Sequence, residues 1–119
     1  MLYLDFVNKL QASFKHIVFE KSELTENRYS DFYSFYNPKQ VEFEYNGTDL
    51  LLLPYSKIEQ ITKEYAYLKS DFVFGLANSD PYFVKDGMVY TCYHGDENPD
   101  LEFIANSFDD FLKQILEVL

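Results

Sequence analysis

The chain has 119 residues, of which 47% are hydrophobic, and its 20 acidic and 10 basic residues give a formal net charge of −10. Because so acidic a surface repels phosphates, we expect neither a nucleic acid nor an anionic membrane as the partner. The charge favours a protein with a basic surface, and a role in solubility alone is the alternative. The length predicts one domain, residues 1–119.

The first predicted elements are a helix and a short extended segment. Apolar side chains recur at helical spacing over residues 3–16, and residues 17–20 continue in extended form. The N-terminal stretch has Asp5 within its apolar run and no basic region before it, so it does not resemble a secretory signal. With a single cysteine, Cys92, the chain has no internal disulfide, and we expect a cytoplasmic protein.

A second helix is predicted over residues 25–36, capped by Thr25 and ended by Asn37-Pro38. Two interpretations of its aromatic stripe stay open, namely packing on a sheet or partial exposure as a partner contact. The residues of this stripe are Tyr29, Phe32, Tyr33 and Tyr36.

The central segment predicts a hairpin followed by a helix. Residues 41–45 alternate apolar and acidic side chains, Asn46-Gly47 is a strong turn signal, and residues 50–53 form the returning strand. Pro54 ends that strand. A helix is then predicted over residues 57–69, with Ser56 and Glu59 as a capping box.

The remaining segment predicts mainly strands and a C-terminal helix. Strands are predicted at 72–75, 81–87 and 88–94, the last two joined at Asp86-Gly87, and a short extended segment is predicted at 101–105. Ser107 caps the last helix, with Asp110 three residues later. The pattern predicts an α+β fold with a mostly antiparallel sheet flanked by helices. The apolar face of the last helix contains Phe108, Phe111, Leu112, Ile115, Leu116 and Leu119.

An ordered set of short motifs over residues 72–116 resembles the C-terminal half of the SUKH superfamily, the Smi/Knr-like proteins. Upstream, residues 50–61, LLLLPYSKIEQI, resemble the strand, proline and helix of that family. Ser79-Asp80 stands where the family usually has Gly-Asp. The motifs are Phe74-Gly75, Asp80, Gly87-Met88-Val89-Tyr90, His94 and the run from Ala105 to Leu112.

The resemblance implies a SUKH-like fold and a binding module without catalysis or cofactor. Many members are bacterial immunity proteins, each of which neutralises a cognate toxin, often a nuclease or a nucleic-acid deaminase. No partner-contact residue carries over by motif. A regulatory or scaffolding domain without a toxin is the alternative.

The candidate contacts are acidic and aromatic side chains. Asp80, Asp96, Glu97 and Asp100 are predicted to meet Lys or Arg on the partner, because opposite charges steer association. The acidic run over residues 96–100 does not have the ligand spacing of a calcium loop, and a solvated loop is the alternative. The candidate aromatic contacts are Tyr29, Tyr33 and Tyr36.

Cys92 and His94 are the one candidate catalytic pair. If both lie on the strand predicted over residues 88–94, they share a face and form a thiolate–imidazole pair. The competing interpretation is a small buried cysteine. Since no phosphate loop or nucleophile elbow accompanies the pair, we expect no enzyme.

Overall fold

The computed structural model describes residues 1–119 and contains one seven-stranded antiparallel sheet with three α-helices, which confirms the predicted α+β class. Each strand pairs with the next one along the chain, so the sheet is a meander with β1 and β7 at its edges. The helices are α1 (Leu2–Ser13), α2 (Tyr55–Glu64) and α3 (Phe108–Val118), with two 3₁₀ helices at Asp31–Ser34 and Ala66–Leu68. The strands are β1 (Val18–Lys21), β2 (Tyr36–Tyr45), β3 (Thr48–Leu52), β4 (Phe72–Ala77), β5 (Asp80–Lys85), β6 (Met88–Thr91) and β7 (Glu102–Ala105).

Three two-residue turns connect neighbouring strands in the sheet. The predicted turns at Asn46-Gly47 and Asp86-Gly87 have positive φ at both residues, as type I′ hairpins require. The β4–β5 turn is of the same kind, but Ser79 holds its second position at φ 68°. The chain therefore makes a tight hairpin where the family resemblance placed Gly-Asp.

One face of the sheet, called the inner face, is covered by α1 and α3. Phe111 of α3 is fully buried, and its ring centroid lies 5.7 Å from that of Tyr45 and 5.8 Å from that of Tyr82. The Tyr3 hydroxyl of α1 donates a hydrogen bond of 2.8 Å to Asp109 of α3, which ties the two helices together. The burial of alternate β2 residues confirms the predicted half-buried strand over residues 41–45.

The opposite face, called the outer face, is covered by α2 only over part of its width. Ile58 is fully buried, and Thr62 accepts a hydrogen bond of 2.9 Å from the Val73 amide of β4. Lys85 at the end of β5 donates to the Leu68 carbonyl over 2.9 Å. The outer face of β6 and β7 lies beyond this cover, and Phe103 there is 52% exposed.

The predicted helix over residues 25–36 is wrong. The segment is a loop with one 3₁₀ helix, whose N-cap Ser30 accepts a hydrogen bond from the Phe32 amide over 3.2 Å. Asn37 and Pro38 lie inside β2 and do not end a helix. At Pro38 the strand has a neighbour on one side only, because pairing with β3 begins at Val41, and an edge position tolerates proline.

The predicted bounds and cap of α2 also need correction. The helix begins at Tyr55 and ends at Glu64, and the Ser56 side chain makes no cap bond. Instead Asn37 of β2 accepts a hydrogen bond from the Tyr55 amide over 2.8 Å. A side chain 18 residues earlier thus satisfies a donor in the first turn of the helix.

The C-terminal helix agrees with its prediction. Ser107 accepts a hydrogen bond from the Asp110 amide over 3.0 Å, as a side-chain N-cap does. Asp109 and Asp110 lie in the first turn, where the helix dipole favours negative charge. The buried residues of this helix are Phe108, Phe111, Leu112 and Ile115.

Candidate functional site

The segment between β6 and β7, residues 92–101, is called the acidic loop. It begins after Thr91 and ends before Glu102, and these two residues pair across the strands. Asp96, Glu97 and Asp100 are exposed in it, as a solvated loop requires. Asp96 accepts a hydrogen bond of 3.1 Å from the Asn98 amide, which stiffens the loop. None of these three carboxylates takes part in an ion pair of the structure.

Asp80 joins the acidic loop to the β4–β5 turn. It accepts a hydrogen bond of 3.0 Å from the His94 amide and lies 2.7 Å from His94 Nδ1. The Asp80 side chain remains 36% exposed. The structure therefore brings Asp80 and the acidic loop, which holds the other three predicted acidic contacts, to one end of the sheet.

Positive charge is missing from this part of the chain. Between Lys85 and Lys113 the sequence has seven acidic residues and no Lys or Arg. Four of the seven lie in the acidic loop and at the first residue of β7, and they are Asp96, Glu97, Asp100 and Glu102. A surface of one sign in this position attracts a partner of the opposite sign.

The predicted tyrosine contacts lie elsewhere and are largely packed. Tyr33 is 1% exposed, so its ring is inaccessible to a partner, and its centroid lies 5.9 Å from that of Phe108. Tyr29 and Tyr36 are half-buried. For Tyr33 the core-packing interpretation of the aromatic stripe holds.

The tyrosine set and the acidic set lie near opposite ends of β4. The Tyr29 ring lies 5.0 Å from that of Phe72, which begins the strand, whereas Asp80 pairs with Ala77, which ends it. Five residue steps along a strand correspond to roughly 17 Å. The structure therefore does not bring the two predicted sets together.

Exposed aromatic side chains that the sequence analysis did not single out lie beside the acidic loop. Tyr67 is 41% exposed, and burial together with the nearby Cys92 and Asp96 raises its pKa. Tyr65 beside it donates a hydrogen bond of 2.6 Å to the Ser79 carbonyl. In the sequence, the mixture of aromatic and acidic residues over 93–103 could have indicated this exposed aromatic surface. Within that range Tyr93, Leu101 and Phe103 are exposed.

The predicted shared face of Cys92 and His94 is wrong, because β6 ends at Thr91. Cys92 is buried, whereas His94 is exposed and bonded to Asp80. Burial, and secondarily the charge of Asp80, raises the pKa of the Cys92 thiol. A thiol with a raised pKa is a poor nucleophile at neutral pH.

No group of three or more His, Cys, Asp or Glu side chains is placed to hold a metal ion. The surface depressions beside α2 and beside the end of β1 are lined mainly by polar residues, whereas one between the β2–β3 turn and the end of α3 is lined mainly by hydrophobic ones. None of the helices has the length and apolar character needed to cross a membrane.

The chain matches a family model. The model of the SMI1 / KNR4 family (SUKH-1) matches residues 3–114, a range that includes all seven strands. No curated protein and no solved structure matches the chain. The match extends the resemblance seen in residues 50–61 and 72–116 to the N-terminal segment. On this match, the chain belongs to the SMI1/KNR4 family (SUKH-1).

Proposed function

We propose that this chain, as one domain of residues 1–119, is a cytoplasmic immunity protein that binds and neutralises a cognate toxin and has no catalytic activity of its own. Membership of the SMI1/KNR4 family supports a protein-binding role. The observation that carries the proposal is the cluster of carboxylates at one end of the sheet, in which no Lys or Arg takes part.

The charge supports one class of toxin, namely one that acts on nucleic acid. A toxin that cuts or deaminates nucleic acid has to hold phosphates, and it does so with Lys and Arg. A protein surface rich in carboxylates is complementary to such a site and speeds encounter with it. Asp80, Asp96, Glu97 and Asp100 are the proposed electrostatic contacts. They contact the basic residues of the toxin and exclude its substrate.

The half-buried tyrosines take a secondary place in the proposal. Tyr29 keeps part of its side chain at the surface beside Phe72 at the start of β4, and Tyr36 does so at the start of β2. An interface of ordinary size involves some 20–30 residues on each side, enough to extend along one strand. Tyr29 and Tyr36 are contacts only in an interface that extends this far. Tyr33 is not part of the proposed interface because it is buried.

The test is to co-express the chain with the products of adjacent genes, isolate complexes, and measure their affinity by calorimetry at two salt concentrations. We expect a complex with a basic toxin domain that weakens as salt increases, and restored growth of cells that express the toxin. Failure of every neighbouring product to bind, with no protection of growth, contradicts the proposal. That result favours a regulatory or scaffolding domain without a toxin.

A further inference from the structure

Three aromatic rings form a row across the outer face of β5, β6 and β7, called the aromatic ladder. Phe83 pairs directly with Tyr90, and Tyr90 pairs directly with Phe103. The Phe83 and Tyr90 rings are stacked with centroids 6.0 Å apart, and the Phe103 ring meets Tyr90 edge-on at the same distance. Cross-strand aromatic pairs of this kind hold each ring in a defined orientation.

Exposure increases along the aromatic ladder. Phe83 is fully buried, Tyr90 is half-buried and Phe103 is 52% exposed. On the inner face of the same strands, Val89 and Ala105 are buried where α3 packs on β6 and β7. The register shifts between the Val89–Ala105 and Tyr90–Phe103 pairs, so Phe103 contacts Tyr90 although it lies only two residues from Ala105. The Phe103 ring thus adds little to the core of the monomer. It presents an edge-strand aromatic surface to solvent.

The aromatic ladder lies next to the acidic loop. The Tyr90–Phe103 pair follows the Thr91–Glu102 pair that closes the loop. The nearby cations are already engaged, since Lys85 donates to the Leu68 carbonyl and Lys113 of α3, which borders the same surface depression as Phe103, lies 3.7 Å from Asp110. Of the ten exposed large apolar side chains of the protein, four are in or next to this loop, namely Tyr67, Tyr93, Leu101 and Phe103. Exposed aromatic rings and unpaired carboxylates therefore lie next to one another at this end of β6 and β7.

This combination of groups selects one kind of occupant. A second copy of the chain would bring like charges together across the contact, and phosphate-bearing partners would be repelled by the same carboxylates. An arginine side chain complements both the aromatic rings and the carboxylates. Its planar guanidinium stacks on an aromatic ring while its N–H groups bond to carboxylates. Lysine, a compact and strongly hydrated charge, gains less from the rings.

We propose that the outer face of β6 and β7, together with the acidic loop, binds arginine side chains of a protein partner, with Phe103 as the exposed stacking platform. The inference rests on the proposed function in one respect, since it names the side chains through which a basic toxin is held. It adds a preference for Arg over Lys that charge alone does not supply.

The test uses two peptides of equal length and charge with blocked termini, one an Arg-Gly-Gly repeat and one a Lys-Gly-Gly repeat. Each is titrated into the labelled protein and followed by amide chemical shifts in NMR. We expect the Arg peptide to bind about threefold more tightly, the size of an exposed cation–π contact. The largest shifts should fall in residues 88–104.

Variants separate stacking from general apolar contact. Phe103→Leu should remove the advantage of the Arg peptide and weaken the Lys peptide less, whereas Phe103→Tyr should keep that advantage. Phe35→Leu is the matched control, because Phe35 is 49% exposed and lies beside Tyr3 of α1, away from the acidic loop. Circular dichroism checks that each variant is folded.

Equal affinities of the two peptides for the wild-type protein, or equal effects of Phe103→Leu and Phe35→Leu, overturn this inference. Shifts confined to residues outside 88–104 overturn it as well. The titration needs no toxin, so its failure leaves the proposed function standing. Selective Arg binding without any toxin complex removes the immunity proposal and leaves this surface in place.

Discussion

Asp80 and His94, which are 14 residues apart in the chain, are joined by two contacts. Asp80 Oδ1 accepts a hydrogen bond from the His94 amide over 3.0 Å and lies 2.7 Å from His94 Nδ1. One carboxylate therefore fixes the start of the acidic loop to the start of β5. This link decides where the loop carboxylates are presented.

Asp80→Ala should free the start of the acidic loop. We expect a loss of about 1 kcal/mol in the free energy of unfolding and faster hydrogen exchange at the His94 amide. Asp80→Asn keeps an acceptor for the His94 amide, so its free energy of unfolding should fall less than that of Asp80→Ala. Urea unfolding and amide exchange measure both effects. Unchanged exchange at His94 in Asp80→Ala would show that the contact does not hold the loop.

Ser107→Ala should destabilise the protein because it removes the N-cap of α3. The Ser107 hydroxyl accepts from the Asp110 amide, and loss of such a cap costs about 1 kcal/mol. Ser56→Ala is the matched control, since Ser56 lies in the first turn of α2 but makes no cap bond. Equal losses of stability in the two variants, measured by thermal or urea unfolding, would show that Ser107 does not act as the N-cap of α3.

Cys92 should behave as a buried structural thiol. Its pKa is raised by burial and by Asp80, so less thiolate is present at a given pH. We expect the folded protein to react with a thiol reagent at least roughly tenfold more slowly than the urea-unfolded chain. Cys92→Ala should leave partner binding intact. A fast reaction of the folded protein, or lost function in Cys92→Ala, would support a catalytic role.

The free energy of unfolding should fall as pH rises above about 10, the ordinary pKa of tyrosine. Burial raises the pKa of Tyr33 well above that value, so the folded chain keeps a proton that the unfolded chain releases. Stability from this group is complete below the unfolded pKa and is lost above it. In Tyr33→Phe, the slope of the free energy of unfolding against pH should be shallower by up to about 1.4 kcal/mol per pH unit.

The control for this slope is Ile115→Val, which alters a fully buried side chain without removing an ionisable group. It should lower stability by about 1 kcal/mol at every pH and keep the wild-type slope. Urea unfolding of the three proteins between neutral and alkaline pH gives the comparison. A Tyr33→Phe slope equal to that of the wild type would mean that Tyr33 ionises without unfolding.

Local signals explain why much of the fold was predictable. The turns at Asn46-Gly47 and Asp86-Gly87, the alternation over residues 41–45 and the Ser107 cap each involve residues close in sequence. The elements that were predicted wrongly depend on contacts between residues far apart in the sequence. Asn37 caps α2 from β2, and Tyr36 to Gln40 form a strand because β1 pairs with them. Neither contact leaves a local pattern.

The sequence shows the negative charge of the candidate site but does not reveal which aromatic side chains are exposed beside it. Asp80, Asp96, Glu97 and Asp100 stand out in the sequence as acidic side chains, and the structure joins Asp80 to the loop that holds the other three, while their contact with a partner stays a prediction. The stripe containing Tyr33 had helical spacing, but adjacent side chains there fill the core. The exposure of Phe103 depends on where the cover of α2 ends, and only the tertiary structure determines this.

The most direct test of the central claim compares two double charge reversals in the proposed complex with a toxin. Asp96→Lys with Glu97→Lys alters the acidic loop, and Glu23→Lys with Glu26→Lys alters an exposed segment elsewhere by the same net charge. Calorimetry should show an affinity loss of about tenfold or more, together with a weaker salt dependence, for the loop variant only. Equal losses in both variants, or an unchanged affinity in the loop variant, would contradict a role for the acidic loop in partner binding.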